Sequence, residues 1–357
     1  MMGSAAGAAD DEARRTDWIA AMRTGDFERA WAITDGDVLA FSRSGRSKHE
    51  GPRHLQHIWC GEPLGGRRVL VRCYHGLGDT IQFARFLAPL RAIASEVVVW
   101  CQPELLRLVS AVDGVDRALP LHDGLPDVDF EVDIEIMEIP HALRATRDLV
   151  EISRPYLQAE RDSGLTGLIG NSALSVGLVW DVGNWDHRRR AVSPHLLRRL
   201  ASSQLRLYSL QREPGPGAVA EIGAVDISTP DVCVLAARLQ VLDVVICPDT
   251  MVAHLSAALG RETWVMLHAD CDWRWPASGS TTFWYPSVRL FHQRRAGDWF
   301  DVVEEIRLAL RYRREAPIWP VTAVPSHCDV ESSRTPASAT GRSGGCLHSE
   351  PGSRRPR

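Results

Sequence analysis

No stretch of this 357-residue sequence approaches the roughly 18 consecutive apolar residues of a membrane-spanning helix, and no two cysteines stand in a C-x-x-C spacing. The eight cysteines, at 60, 73, 101, 233, 247, 271, 328 and 346, are scattered, and Cys73, Cys101 and Cys247 sit in or beside apolar runs. They read as reduced, buried small hydrophobes rather than disulfides or zinc ligands. A basic surplus is lacking too: the formal charge is -4 and the pI near 6.4. That argues against a dedicated nucleic-acid binder, whose phosphate contacts need a basic face. The opening MMGSAAGAADDEARR has no apolar segment and carries acids where a secretory signal is basic. The expectation is a soluble, cytoplasmic protein.

What the chain does have is 45% apolar residues, enough for a real core, and room for two domains at roughly 150 residues each. Residues 1–12 are small and acidic and are expected to be disordered. Over 13–40, Trp18, Ile19 and Met22 precede Gly25-Asp26, and Phe27, Ala30, Trp31 and Ile33 follow it, which predicts a helical hairpin. The turn Gly25-Asp26-Phe27-Glu28-Arg29-Ala30 looks like that of a tetratricopeptide repeat; a single unit must pack on the body. From Arg67 the texture becomes alternating β and α, the mark of parallel sheets covered by helices. Strands are expected at 68–74, 96–101, 116–121, 130–138, 175–180, 205–210, 243–247 and 262–268. Helices are expected at 80–93, 103–111, 141–150, 194–202, 230–240, 250–259 and 298–312. The Gly- and Ser-rich stretch 161–173 reads as a linker, and the Pro-, Ser-, Gly- and Arg-rich tail from 314 as disordered.

One phrase occurs twice: an apolar run ends, a small polar turn carries an Asp, and a helix begins. Val69-Leu70-Val71 leads to Gly76-Leu77-Gly78-Asp79-Thr80, and Val244-Val245-Ile246-Cys247-Pro248 to Asp249-Thr250-Met251-Val252-Ala253-His254. Ligands bind at such carboxyl ends of strands, where the next helix offers free N–H groups. The first copy is not a dinucleotide fingerprint, because the third glycine would fall at Ile81. Spacing alone makes Asp79 a helix-start residue; its functional alternative is a proton acceptor at the floor of a cleft. Likewise Asp249 is an N-cap or a ligand contact, and His254, one turn in from Thr250, is a partly buried histidine or a ligand contact.

Trp185-Asp186-His187-Arg188-Arg189-Arg190 follows a strand, a position that favours holding a diphosphate over being a solvated face. Asp127, Asp129, Glu131, Asp133 and Glu135 include a D-x-D, but their alternation places them on one face of an edge or half-exposed strand, so no metal is expected. Trp273, Trp275, Phe283, Trp284 and Tyr285 either stack on a sugar or base or, the favoured reading, anchor a loop within the second half.

Taken in order, these phrases resemble the ADP-heptose:lipopolysaccharide heptosyltransferase family, glycosyltransferase family nine, in particular its tetratricopeptide-associated relatives. The pieces are Gly76-Leu77-Gly78-Asp79, Met137-Glu138-Ile139-Pro140, Gly177-Leu178-Val179-Trp180, Ser209-Leu210-Gln211, Asp249 to His254 with Ala258-Leu259-Gly260, and Asp272-Trp273-Arg274-Trp275 with Trp284-Tyr285-Pro286. The resemblance covers about 63–313 and implies an α/β, GT-B architecture: two Rossmann-like domains facing across a cleft, after a short helical hairpin at 13–62. An acceptor domain would span 63–165 and a nucleotide-sugar domain 172–313. The resemblance further implies inverting, metal-independent transfer of a sugar, heptose among the candidates, from a nucleotide diphosphate donor to a glycan or protein hydroxyl, with no cofactor. Asp79 would be the base. Gly76, Gly78, Trp180, Arg188, Arg189, Arg190, Gln211, Asp249, Thr250, Met251, Val252 and His254 would bind substrate. Expected partners are the donor and the acceptor, with peripheral membrane contact allowed. The family's phosphate-contacting lysine after the first strand of the second domain is missing, since no lysine follows Lys48; Arg188, Arg189 or Arg190 must substitute. A non-catalytic scaffold and a sugar-nucleotide epimerase are the alternatives.

Overall fold

The computed structural model describes residues 3–151, 154–169, 173–183 and 186–315. Apolar runs such as Val69-Leu70-Val71 and Val244-Val245-Ile246 are buried throughout, as parallel strands covered on both faces must be. Four strands, β1 (Arg68–Arg72), β2 (Glu96–Cys101), β3 (Arg117–Pro120) and β4 (Val132–Glu135), form one parallel sheet in the order β3-β2-β1-β4. Six more, β5 (Leu174–Leu178), β6 (Leu205–Ser209), β7 (Val225–Asp226), β8 (Val244–Pro248), β9 (Thr263–Leu267) and β10 (Val288–His292), form a second in the order β7-β6-β5-β8-β9-β10. Renumbered from its own first strand, the second sheet has the 3-2-1-4-5-6 order of doubly wound nucleotide-binding folds, and the first sheet has its 3-2-1-4 part. Strand order therefore reverses between β1 and β4 and again between β5 and β8. Each reversal opens a crevice at the carboxyl ends, and the two Asp-bearing turns follow β1 and β8.

The hairpin is α1 (Gly3–Thr24) and α2 (Phe27–Arg43), with Gly25 at φ +75 and the Asp26 carboxylate accepting the Arg29 amide at 3.2 Å. Helix α1 corrects the expectation of disorder over 1–12: from Gly3 onward that segment is helical. The alanines at 5, 6, 8 and 9 are the strongest helix formers, and Arg14 pairs with Asp11 one turn on. The hairpin touches both halves of the body. Trp31 donates to the Ala145 carbonyl at 2.8 Å, while Phe27 meets Phe283 edge-on at 5.6 Å and Trp18 meets Trp273 at 5.0 Å. The loop carrying Trp273, Phe283 and Trp284 therefore anchors more than the second half, which is all its sequence suggested, because the hairpin packs its own aromatics against it.

Helices α3 (Leu77–Phe83) and α4 (Leu87–Ile93) follow β1, and α5 (Val232–Leu239) and α6 (Met251–Ala258) flank β8. One apolar core runs from Val69, Val71 and Phe83 through Trp284 to Leu255 and Val245, so it spans both sheets. The far face of the second sheet, Val176, Leu178 and Trp264, is closed by α7 (Phe300–Glu315) through Val302, Val303 and Ile306. Among the described residues no helix is long and apolar enough to cross a membrane.

Two further differences from expectation have local causes. Strand β4 is an edge strand, but its acids are not half-exposed. Asp133 is buried against Arg72 at 2.7 Å and Glu135 against His75 at 3.0 Å, because each acid has a basic partner on or just after β1. The stretch 161–173 holds a short helix, Ser163–Leu168, capped by Asp162 accepting the Leu165 amide. The expected tail at 316–357 lies outside the described residues.

Gly114, in the turn before β3, has φ +90, and a Cβ there would lie 2.5 Å from Ala88 Cα and 2.6 Å from the Leu87 carbonyl oxygen. Gly114→Ala is expected to lower stability by roughly 3 kcal/mol through backbone strain and overlap, read as a lowered urea midpoint at unchanged slope.

Candidate active site

After β1 the chain turns through Cys73, Tyr74 and His75 into Gly76, whose extended backbone (φ -70, ψ 163) starts α3. Asp79, three residues on, accepts the Gly76 amide through Oδ2 at 2.9 Å, an ordinary use of an acid in a helix's first turn. Gln102, at the end of β2, clamps this turn, donating to the His75 carbonyl at 2.8 Å and accepting from the Thr80 hydroxyl at 2.9 Å. His75 Nδ1 lies 3.0 Å from Glu135 Oε1, and that hydrogen bond holds the imidazole above its ordinary value, with the Asp79 charge adding to it. Behind it, Glu138 Oε2 accepts the Glu135 amide at 2.9 Å and the Trp59 amide at 3.1 Å. Burial nonetheless pushes the Glu138 carboxyl up to about 7.

In the second half, Asp249 and Thr250 follow β8, and Thr250 is the extended residue from which α6 starts. Burial holds the Asp249 carboxyl above its ordinary value and the nearby Asp272 adds to this, while Arg190 and Arg274 oppose. His254 Nδ1 is 2.9 Å from the Tyr285 hydroxyl. Burial, with Arg274, Arg85 and Arg190 around it, drives the imidazole well below its ordinary value, so it is neutral.

These two turns meet. A Cβ on Gly78 would lie 3.1 Å from the His254 ring and 3.4 Å from Met251 Cα, so α3 and α6 approach nose to nose where the first copy of the phrase has glycine. Arg274, from the loop after β9, is buried and completes the junction. Its Nε donates to Gln82 Oε1 at 2.7 Å, Nη1 to Asp272 Oδ1 at 2.8 Å, and Nη2 to Asp79 Oδ1. A second buried cation, Arg85 of the first half, donates to the Trp284 carbonyl at 2.5 Å and lies 4.4 Å from the Tyr285 ring centre.

The structure therefore brings Gly76, Gly78, Asp79, Asp249, Thr250, Met251, Val252 and His254 to one junction. The arginine run divides. Arg190 is near enough to act on the charges of Asp249 and His254; Arg189 pairs with Asp186 at 3.5 Å and with Asp270 at 3.4 Å, and both arginines act on His268; Arg188 is exposed. Trp185 lies outside the described residues. Trp180 belongs to the core of the second sheet, and Gln211 uses its side-chain oxygen to hold the Trp180 and Asp181 amides at 3.1 and 2.8 Å. These two shape the end of β5. Reading the sequence missed His75, Gln82, Arg85 and Arg274 as site residues. Arg274 stands inside a quoted motif, but its pairing with a residue 195 positions earlier has no local signal. Among the described residues no group of three His, Cys, Asp or Glu side chains could hold a metal ion.

Two doubly wound parallel sheets meeting at their switch points define the GT-B class of fold. No family model matches the chain, and no curated protein does. Among solved structures, the ADP-heptose lipopolysaccharide heptosyltransferase II of E. coli matches with a TM-score of 0.50 at 12% identity, over 70% of this chain and 100% of that one. A family 9 glycosyl transferase from Veillonella parvula matches at 0.49 and 11%, over 69% and 91%. The iron-containing dodecameric glycosyltransferase TibC from enterotoxigenic E. coli matches at 0.47 and 14%, over 68% and 67%. The likeness to heptosyltransferase II is one of fold.

His75 and Glu138 are both raised above their ordinary values, so each binds its proton more tightly in the folded chain. The stability this contributes is present at low pH and lost as the pH rises through the folded value, about 7 for Glu138. The contribution of these two groups should fall between pH 5 and 8, against the opposite trend from histidines such as His254 that burial holds below their ordinary value. Glu138→Gln, neutral and still an acceptor for both amides, should be more stable than the parent at pH 8 by about 2 kcal/mol, discounting for partial exposure, and little different at pH 5. Urea titrations at the two pH values check this.

Proposed function

We propose that the chain is an inverting glycosyltransferase that moves a sugar from a nucleoside diphosphate donor to a hydroxyl of a glycan or protein acceptor without a divalent metal. The observation that carries this reading is the reachable Asp79 carboxylate at one switch point set against the N-terminus of α6 at the other, in a GT-B fold. Residues 63–165 act as acceptor domain and 172–313 as donor domain, with the hairpin as a single tetratricopeptide-like unit packed on both, in a cytoplasmic protein. Asp79 takes the proton of the acceptor hydroxyl as its oxygen attacks the anomeric carbon. The bond from that carbon to the diphosphate oxygen breaks, and its electron pair leaves with the nucleoside diphosphate. The free amides at Met251 and Val252 and the Arg190 guanidinium receive the charge that develops there. Arg190 takes the place of the missing lysine because it alone of the three arginines acts on the Asp249 and His254 charges. An ADP-linked heptose is the donor to test first, after the E. coli neighbour named for it.

A non-catalytic scaffold is the second reading, favoured by the ion pair that already engages Asp79. A thermal-shift panel of ADP-, GDP-, UDP- and CMP-sugars separates the two. A true donor at about 100 times its dissociation constant adds roughly 2.7 kcal/mol, and a scaffold with an empty cleft responds to none. With the donor so found, Asp79→Asn should lower turnover by about 10²–10⁴-fold with donor affinity within about twofold. Arg190→Ala should weaken donor binding about tenfold or more while Arg188→Ala leaves it unchanged, measured by calorimetry. Normal transfer by Asp79→Asn would remove the base assignment.

A further inference from the structure

We propose that Arg274 is the positioning residue for Asp79: the second half of the chain supplies orientation and counter-charge to the carboxylate carried by the first. The inference rests on the transferase reading and adds to it a residue that reading leaves out. A guanidinium is planar with its N–H bonds in a fixed fork, so three acceptors taken at once define its place completely. Here the acceptors are Gln82 and Asp79 on α3 and Asp272 on the loop of Arg274 itself. Gln82 lies one turn after Asp79, so Nε and Nη2 grip successive turns of one helix face.

The guanidinium is itself held. It lies 4.3 Å from the Trp273 ring centre and 5.9 Å from that of Phe83, and Trp273 is braced by Trp18 of the hairpin. Burial opposes its charge, but Asp272 and Asp79 together keep it above its ordinary value, so it is a permanent cation. Asp79 meanwhile keeps spare capacity. An ionised carboxylate has about four acceptor sites, of which Gly76 and Arg274 use two, and its side chain is 24% exposed. An acceptor hydroxyl can therefore reach the carboxylate while both oxygens stay anchored. A buried ion pair adds little net stability compared with apolar packing, whereas it fixes geometry, which a base needs.

The test uses the full-length chain, with ADP-heptose and the other nucleotide sugars of the panel as probes and release of nucleoside diphosphate as readout. Arg274→Ala is expected to lower kcat at least about 100-fold with donor KM within about twofold, Arg274→Lys to remain impaired, and added methylguanidinium to restore Arg274→Ala by tenfold or more. Because Arg274 acts through Asp79, the double variant Asp79→Asn/Arg274→Ala should be no slower than Asp79→Asn alone. A raised KM at unchanged kcat, or losses that multiply in the double variant, overturns the proposal. If the parent turns over no probe, the transferase reading falls, and unfolding decides the pairing. The midpoint loss of the double variant should then be smaller than the sum of the single losses, and additive losses overturn it.

Discussion

A single apolar core crosses from the first sheet into the second, and the two arginines sunk in it, Arg85 and Arg274, fix how the halves meet. Each donates to groups on the opposite half: Arg85 to the Trp284 carbonyl, Arg274 to Asp79 and Gln82. A buried guanidinium left short of acceptors is far more costly than one fully paired, so sliding one sheet on the other would expose that penalty at both residues. Domain motion is the default where an interface is small and polar. Here the interface is apolar, aromatic and pinned by charge, and the hairpin adds Trp18 and Phe27 to the second half while Trp31 binds the first.

The sheets were legible in the sequence wherever both faces are buried, because Val97-Val98-Val99 or Val244-Val245-Ile246 admits few other readings. Strand β10 was not, since Arg289 and His292 interrupt Val288, Leu290 and Phe291 and an aromatic loop precedes them. The short β7 carries no run at all. The acids of β4 looked like a solvated face because alternation reports which side a residue is on, not what covers that side. Arg72 and His75, on and after the neighbouring strand, are what cover Asp133 and Glu135. In the same way Asp79 and Asp249 were visible as ends of strands, but Arg274 was not visible as their neighbour, since only the fold joins it to Asp79.

The three consecutive arginines show why a charge run cannot be assigned as a block. His187–Arg190 is a single helical turn, so successive side chains point about 100° apart and cannot all face the junction. Arg190 acts on Asp249 and His254, Arg189 is drawn to the acids at 186 and 270, and Arg188 faces solvent. The turn begins from Asp186 in the left-handed region, at φ +52, a conformation costing of order 1 kcal/mol or more for a residue that is not glycine.

The two Asp-bearing turns are alike in sequence and unlike in surroundings, and the difference supports the unequal roles proposed for them. Asp249 is sunk beside Asp272 with its side chain 13% exposed, and burial raises its carboxyl. Asp79 has nearly twice that exposure, an amide on one oxygen and a permanent cation on the other. In the proposed transfer a base meets a hydroxyl entering from solvent and afterwards releases the proton to solvent, and of the two carboxylates Asp79 is the more accessible for both. Asp249, beside the N-terminus of α6, is the one the proposal gives to holding the donor.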